Sequence, residues 1–544
     1  MDCGKCRIKC LGWLHLVCGC LVVAALALQL SATFFQTDLN SDHLYPHMFV
    51  KDWLYGGYPL DAWKFGSATF LFPDYILYAG LLVLLGDSGL TFPVFAVMNM
   101  LLLGASFGLA IWRLGGGGAW SAWVKGYYLV GIILSFQFIP FHGYNLYWLL
   151  LPGFHGNCLT LGITICALLM GAWREDRRLS RGEALCVVIL GVAGVFSNTL
   201  LLMHFLLPWL LTQLWLGWLQ GQWKRAIFLE QLKWILIILM GVFVLRLSLA
   251  WLHYWEYGKV FRAFPFPAEV WRCWLDFCHD FMVETGPRLW FFWTLFVLIV
   301  GMTVWGHRRS RRSAVASSGM VFGLFSVISV GIAVILPILA LYWKEFSNSR
   351  YFLNLLVLPL LALGLWVEAI PKAFGLGRVR SLAWSGLLGI AAVVLFGVNL
   401  QDRERLYFPY PLAVAEYDRM VAEYGLRLGV SDYWISHYYN QLSRTSSFLN
   451  HIEEGDGTPF FWCNNVYWFY GPKRAGQGSE TLQFPVYDFI LMNGLNELQV
   501  VETYGEPDRI VRGNYNTVYL YEDPEAIRSV LEPRIVQWLE NKGL

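Results

Sequence analysis

The chain has 544 residues, of which 57% are hydrophobic and 14% charged, with a formal net charge of +2. Soluble domains carry about 25% charged residues, so this composition excludes an ordinary soluble enzyme. The near-balanced charge, with no basic patch, also argues against a nucleic-acid partner.

The chain begins with Lys5, Arg7 and Lys9 ahead of an apolar run from Leu11 to Phe35. That run exceeds the roughly 7–15 residues of a signal-peptide core, and no small-x-small cleavage site follows it. It predicts an uncleaved signal anchor. Candidate spans fall at 11–33, 91–112, 121–141, 155–173, 183–198, 200–219, 234–252, 289–306, 320–342, 351–369 and 382–400, about eleven in all. Ser197-Asn198-Thr199 must then be a tight turn between two of them.

Charge placement sets the orientation. With the N-terminus inside, Arg113 and Lys125 fall inside, followed by Arg174, Arg177, Arg178 and Arg181. Lys224 and Arg225, Arg308, Arg309, Arg311 and Arg312, and Lys372, Arg378 and Arg380 do so too, as the positive-inside rule requires. The outer face receives the 34–90 loop, the 253–288 loop and the 401–544 tail. Residues 74–86 are apolar but too few to span, and predict a helix at the outer membrane surface.

The tail turns polar. Runs at 428–434 and 486–492 predict strands, and 509–521 predicts a hairpin turning near Gly513-Asn514. Residues 411–425 and 524–541 predict helices. The expected organisation is a membrane domain, 1–400, followed by an extracytoplasmic α/β domain, 401–544. The chain has eleven cysteines. Cys3-x-x-Cys6 is half of a zinc site without its complement. Cys273 and Cys278 can pair in an outer loop, and the others read as free thiols.

The first outer loop concentrates the chemistry. It contains Asp38-Leu-Asn-Ser-Asp42-His43-Leu-Tyr45-Pro46 and, later, Phe72-Pro73-Asp74. Ser41 or Asp42 can cap a helix from about Tyr45 to Tyr55, with Pro46 in its first turn and Gly56-Gly57 ending it. Phe49, Trp53 and Tyr55 suit the headgroup level. Asp74 opens a second surface helix, where it reads either as a cap or as a chemical group. Asp42, beside Asp38 and His43, reads as a chemical group. Asp52 and Asp61 read as solvated loop charges.

One signal anchor, an outer loop with an early Asp and two juxtamembrane helices, a polytopic bundle and a late Ser349-Arg350-Tyr351-Phe352 together resemble the GT-C superfamily of membrane glycosyltransferases. The likeness is to the bacterial branch with protein mannosyltransferase-like and aminoarabinose transferase-like enzymes. It covers 1–400 as architecture and 38–75 and 349–354 as motifs. It implies an inverting transferase that uses a polyprenyl-phosphate or polyprenyl-diphosphate sugar. Asp42 would be the base, from the family's first-loop Asp, with Asp74 a second catalytic carboxylate. Where the mannosyltransferase-like members have Asp-Glu, this chain has Asp42-His43, which leaves the acceptor open among lipid, glycan and protein. The implied location is the bacterial inner membrane, with the tail periplasmic or extracellular.

Other residues are candidates for substrate binding. Arg350 and Tyr351 start a span on the outer side, where a guanidinium can bind a lipid phosphate or simply anchor the helix. Arg246 lies inside an apolar helix, which is costly unless it binds phosphate, pairs with an acid or snorkels. His155, in Leu-Pro-Gly-Phe-His155-Gly-Asn, and His43 can contact phosphate or sugar, or be satisfied interfacial groups. No cofactor is certain; a divalent metal held by Asp42, His43 and His155 is one option, though no spacing rule supports it. The rival readings are a transporter or flippase of lipid-linked or small polar substrates, an oligosaccharide polymerase or ligase, and a membrane scaffold.

Overall fold

The computed structural model describes residues 3–37, 39–56, 63–66, 68–87, 89–115, 119–135, 146–220, 224–249, 267–283, 294–301, 303, 314–339, 353–355, 357–362, 365, 409–453, 457–470, 484–523 and 525–541. Among the described residues, five helical segments are long and apolar enough to cross a membrane: Gly12–Phe35, Thr91–Gly115, Gly156–Arg174, Arg225–Ser248 and Gly319–Leu339. They match five of the expected spans. The expected spans at 121–141 and 183–198 are present as helices of 17 residues each, Ala119–Ser135 and Arg181–Ser197. The segment expected at 382–400 lies outside the described residues, and those at 289–306 and 351–369 are described only in part.

The bundle starts with α1 (Cys3–Thr37), packed on α4 (Thr91–Gly115) and α5 (Ala119–Ser135). α4 and α5 touch through glycine. Gly104 and Gly108 lie four apart on α4, and a Cβ on Gly126 of α5 would sit 2.4 Å from the Gly104 carbonyl oxygen. Such small-xxx-small contacts let helix backbones approach where lipid offers no hydrophobic drive. α6 (Gly156–Arg174) packs on α4, and α7 (Arg181–Ser197) on α6. α7 starts in a capping box: Ser180 Oγ accepts from the Glu183 N–H, and the Glu183 carboxylate accepts from the Ser180 N–H. It ends at Ser197, and helix resumes at Leu200, passes through a wide turn at Leu202–Leu206 and runs into α8 (Leu207–Gln220), so the expected tight turn at Asn198 is present.

α9 (Arg225–Ser248) packs on α7 and α8. α10 (Pro267–Val283) carries Cys273 and Cys278, which are not joined in a disulfide. The expected pairing fails for a geometric reason. Five helical residues separate the Cα atoms by about 7.5 Å along the axis, beyond disulfide reach. α11 (Ala314–Leu339) packs on α8 and α10.

The first loop holds α2 (Ser41–Lys51), continued by a wide turn to Gly56, then β1 (Trp63–Lys64) and α3 (Ile76–Leu85), which follows a wide turn from Leu71. α3 belongs to a helical stretch too short for a span, as expected.

The tail is a three-layer α/β unit. Its main sheet is formed by β2 (Leu428–Asp432), β3 (Phe448–Ile452), β5 (Phe489–Leu491), β6 (Arg509–Arg512) and β7 (Thr517–Leu520), in the order β3-β2-β5-β7-β6. β3, β2 and β5 run parallel; β7 and β6 complete the sheet antiparallel. Alternation along the strands feeds two cores. Leu449, Phe489, Leu491 and Val518 meet α12 (Leu412–Tyr424) and α13 (Tyr433–Leu442). Val430, Ile452, Ile490 and Tyr519 meet α14 (Glu497–Tyr504) and α15 (Glu525–Asn541). The expected hairpin and terminal helices are present, whereas residues 433–434, expected as strand, open α13.

The tail is joined to the first loop by a short ladder. β1 pairs antiparallel with β4 (Asn464–Asn465), Trp63 opposite Asn465. Tyr433 and Cys463 belong to the same buried apolar cluster as the bundle.

Candidate functional site at the first loop

α2 begins four residues before the expected start. Asn40, in an extended conformation, is its N-cap residue, displacing Ser41 and Asp42. His43 reaches back so that its Nδ1 accepts from the Asn40 N–H at 3.3 Å. Its ring packs among Phe34, Trp148 and Phe154. Pro46 therefore lies in the second turn, beyond the first turn where it was expected, and offers no N–H to the Asp42 carbonyl.

The helix is covered by protein. Every residue from His43 to Val50 is buried, Phe49 completely. Trp53 is half-buried, and Tyr55 is exposed as expected. The cover on α2 is α13 of the tail, which lies against it.

Asp42 is half-buried and receives the Tyr433 hydroxyl, Oη to Oδ1, at 2.6 Å. That is a short O–H···O hydrogen bond. One turn along α13, the His437 N–H donates to Ser41 Oγ at 3.2 Å, and His437 Nδ1 lies 2.9 Å from Met48 Sδ.

Asp74 is almost fully buried, at 2% exposure. It lies in the first turn of its helix, as expected, but it is not a cap. Its Oδ1 accepts from Asn157 Nδ2 at 3.0 Å and from the Gly153 N–H at 3.3 Å, both from the segment that opens α6. Burial pushes its carboxyl up to about 7, and the Asn157 and Gly153 donors only partly offset this. Gly153 has φ +75°, and a Cβ there would meet Pro46 and the hydroxyls of Tyr75 and Tyr45 at 3.0–3.4 Å. The same segment therefore touches α2 and the turn before α3 together.

Between the two carboxylates lie the tyrosines. The Tyr75 hydroxyl donates to the Tyr45 hydroxyl at 3.0 Å. Burial raises Tyr45, Tyr75 and Tyr433 well above the phenol range, and the Cys463 thiol facing all three adds to this. The hydroxyls are thus neutral donors at ordinary pH.

The first loop has two further ties. Asp52, expected as a solvated charge, accepts from Asn465 Nδ2 at 3.0 Å and Trp468 Nε1 at 3.1 Å. Burial lifts it to about 6 against those two donors. His47, fully buried, bridges Tyr78 (Nδ1 to hydroxyl oxygen, 2.8 Å) and Asp87 (Nε2 to Oδ1, 3.0 Å). His47 and Lys51 together hold Asp87 well below the carboxylate range. Asp61 lies outside the described residues.

His155 sits at the N-cap position of α6, with Nδ1 3.0 Å from Asn198 Nδ2. Together with Cys158, His204, Phe205, Leu353 and Asn354 it lines a small cavity with room for about one water. Arg350 and Tyr351 lie outside the described residues, but Leu353 and Asn354, next in the same segment, form part of that wall. Arg246 is half-buried in the last turn of α9 and is not part of the wall. Among the described residues no three His, Cys, Asp or Glu side chains gather to hold a metal, so Asp42, His43 and His155 do not form the metal set considered from sequence.

Sequence reasoning missed Tyr433, Cys463, Asn157, His204 and Asn354. The last two carried a usable signal, since polar side chains inside apolar segments are costly unless placed for a purpose. Tyr433 carried none, being 391 positions from Asp42. No family model matches the chain, and no curated protein matches it either.

Proposed function

We propose that the chain is an inverting glycosyltransferase of the GT-C type, with about eleven spans, acting at the outer face of a bacterial inner membrane. It moves a sugar from a polyprenyl-phosphate or diphosphate carrier to an acceptor hydroxyl of a lipid, glycan or protein. The observation that carries this reading is the Tyr433 hydroxyl 2.6 Å from Asp42. The carboxylate accepts a hydroxyl proton in the geometry that a general base needs toward an acceptor.

In the reaction, Asp42 takes the acceptor's hydroxyl proton as that oxygen bonds to the anomeric carbon. The bond from that carbon to the carrier phosphate breaks, its electron pair leaves with the phosphate, and the configuration inverts. Arg350 and Tyr351 would meet the phosphate. Asp74, poised near neutrality, would be a second carboxyl able to exchange a proton. Arg246 would contact the carrier from the neighbouring bundle face.

The test compares lipid-linked and envelope glycans by mass spectrometry in cells with the wild-type chain, with Asp42→Asn and without the gene. One hexose-sized mass lost from the same product in the last two strains is the expected result. Identical glycans in all three strains would overturn the reading.

A further inference from the structure

We infer that the tail domain is part of the catalytic site, and that Tyr433 is the positioning residue that keeps the Asp42 carboxylate aimed and charged. This rests on reading Asp42 as the base, and goes beyond it by giving the tail a role in the chemistry.

The contacts are of a kind that separate domains do not make casually. α13 lies along α2, with Tyr433 on Asp42 and His437 on Ser41 and Met48. β1 and β4 share a ladder, and Asn465 and Trp468 hold Asp52. The joint is therefore tied at both ends of α2, and the buried faces are continuous with the bundle core. α13 itself is held from behind: the Tyr439 hydroxyl donates to Asn516 Oδ1 at 2.6 Å, and Asn440 Nδ2 donates to the Leu449 carbonyl at 2.9 Å. Tyr433 thus presents its hydroxyl from a braced helix. A general base must be both oriented and ionised. A buried hydroxyl donating to one oxygen does both, because a hydrogen bond to the charged form of a carboxylate favours that form.

The groups facing the pair are Tyr45 on α2, Tyr75 beside α3 and the Cys463 thiol, with Asp74 beyond Tyr75. Behind them His437 and His451 are kept neutral by burial. Asp74 titrates at about 7 and Asp52, just past the end of α2, at about 6, and both carboxyl bands are assigned by their own Asn variants. A measurement on Asp42 must therefore be separated from both.

The direct test needs no substrate. The carboxyl stretch of the purified full-length protein is titrated by infrared difference spectroscopy, and the Asp42 band is assigned by its loss in Asp42→Asn. Tyr433→Phe keeps the ring and removes the donor. Its Asp42 midpoint should rise by about one pH unit. An unmoved midpoint overturns the inference.

Transfer from a tritiated polyprenyl-phosphate hexose into membranes supplies the second readout. Tyr433→Phe should lose activity at the acid end of the pH profile, approaching tenfold only below the wild-type Asp42 midpoint, and lose less at pH 8, with the tail as protease-resistant as in wild type. Asn465→Asp sets a second carboxylate against Asp52, and should lose activity and tail protection together. If Tyr433→Phe lowers the acceptor KM or raises turnover, the tyrosine merely occupies the acceptor's place, and the inference fails. Wild-type transfer by Asp42→Asn would instead remove the base assignment, whereas its inactivity beside an unaffected Tyr433→Phe would remove only this inference.

Discussion

Asp42 and Asp74 leave the same loop and sit in the first turns of successive helices, yet different halves of the molecule answer them. Asp74 is met by the bundle, through the Asn157 amide and the Gly153 N–H. Asp42 is met by the tail, through the Tyr433 hydroxyl. The first carboxyl is sealed from water and holds its proton to about pH 7; the second keeps partial access and a strong donor. Environments that differ in this way let two like groups take unlike roles. Similar positions in their helices left this undecided, and the partners brought up by folding settled it.

Breaking one side of this comparison at a time should give graded effects. Asp42→Asn should lower transfer by about 10²–10⁴-fold, the usual worth of a general base, with the tail still protease-resistant. Wild-type turnover in that variant would leave Asp42 without a catalytic part.

Asp74→Asn tests the other side through stability. The folded state holds this proton up to about pH 7, whereas an unperturbed carboxyl of 3.8 has already released it. Between those values the folded protein binds more protons than the unfolded chain, so this group's contribution falls as pH rises. Relative to wild type, Asp74→Asn should therefore have a higher apparent Tm in detergent at pH 8 than at pH 5. An equal difference at both pH values would show that Asp74 is not holding a buried proton.

Gly126→Ala probes the bundle that positions Asn157 and Gly153. Its methyl would meet the α4 backbone, which cannot rotate away, so the cost should be about 1–3 kcal/mol in chemical denaturation. No loss would mean that α4 and α5 are looser than their contact implies.

The smallest effect belongs to the opposite end of α4. There Arg113 and Arg177 bind Glu183, and Arg177 also binds Glu175. Arg177 is about one-third exposed, at 34%, so solvent screens its pairs. Arg177→Ala should cost within about 1 kcal/mol and less still at high salt. A large, salt-independent loss would make that corner as structural as the buried loop.

Local pattern made much of this fold legible. The five long apolar helices, the turn at Asn198, the short helix after Pro73 and the hairpin at 509–520 follow from hydropathy, length and turn residues. The helix starting at Ser41 was misplaced because its cap depends on His43 reaching back to Asn40, where Ser or Asp alone was considered. The Cys273–Cys278 pairing failed because a helix formed where a loop was expected. Asp52 looked solvated because its partners, Asn465 and Trp468, come from the other end of the chain.

Composition and periodicity are properties of neighbouring residues, and by themselves they determined a chain rich in apolar helices with a polar α/β tail and carboxylates gathered in one early loop. Which of those carboxylates lost water, and which met a hydroxyl, was decided only when α6 brought Gly153 and Asn157 to Asp74 and α13 brought Tyr433 to Asp42. Desolvation and hydrogen bonding act over a few ångströms in space, whatever the separation along the chain.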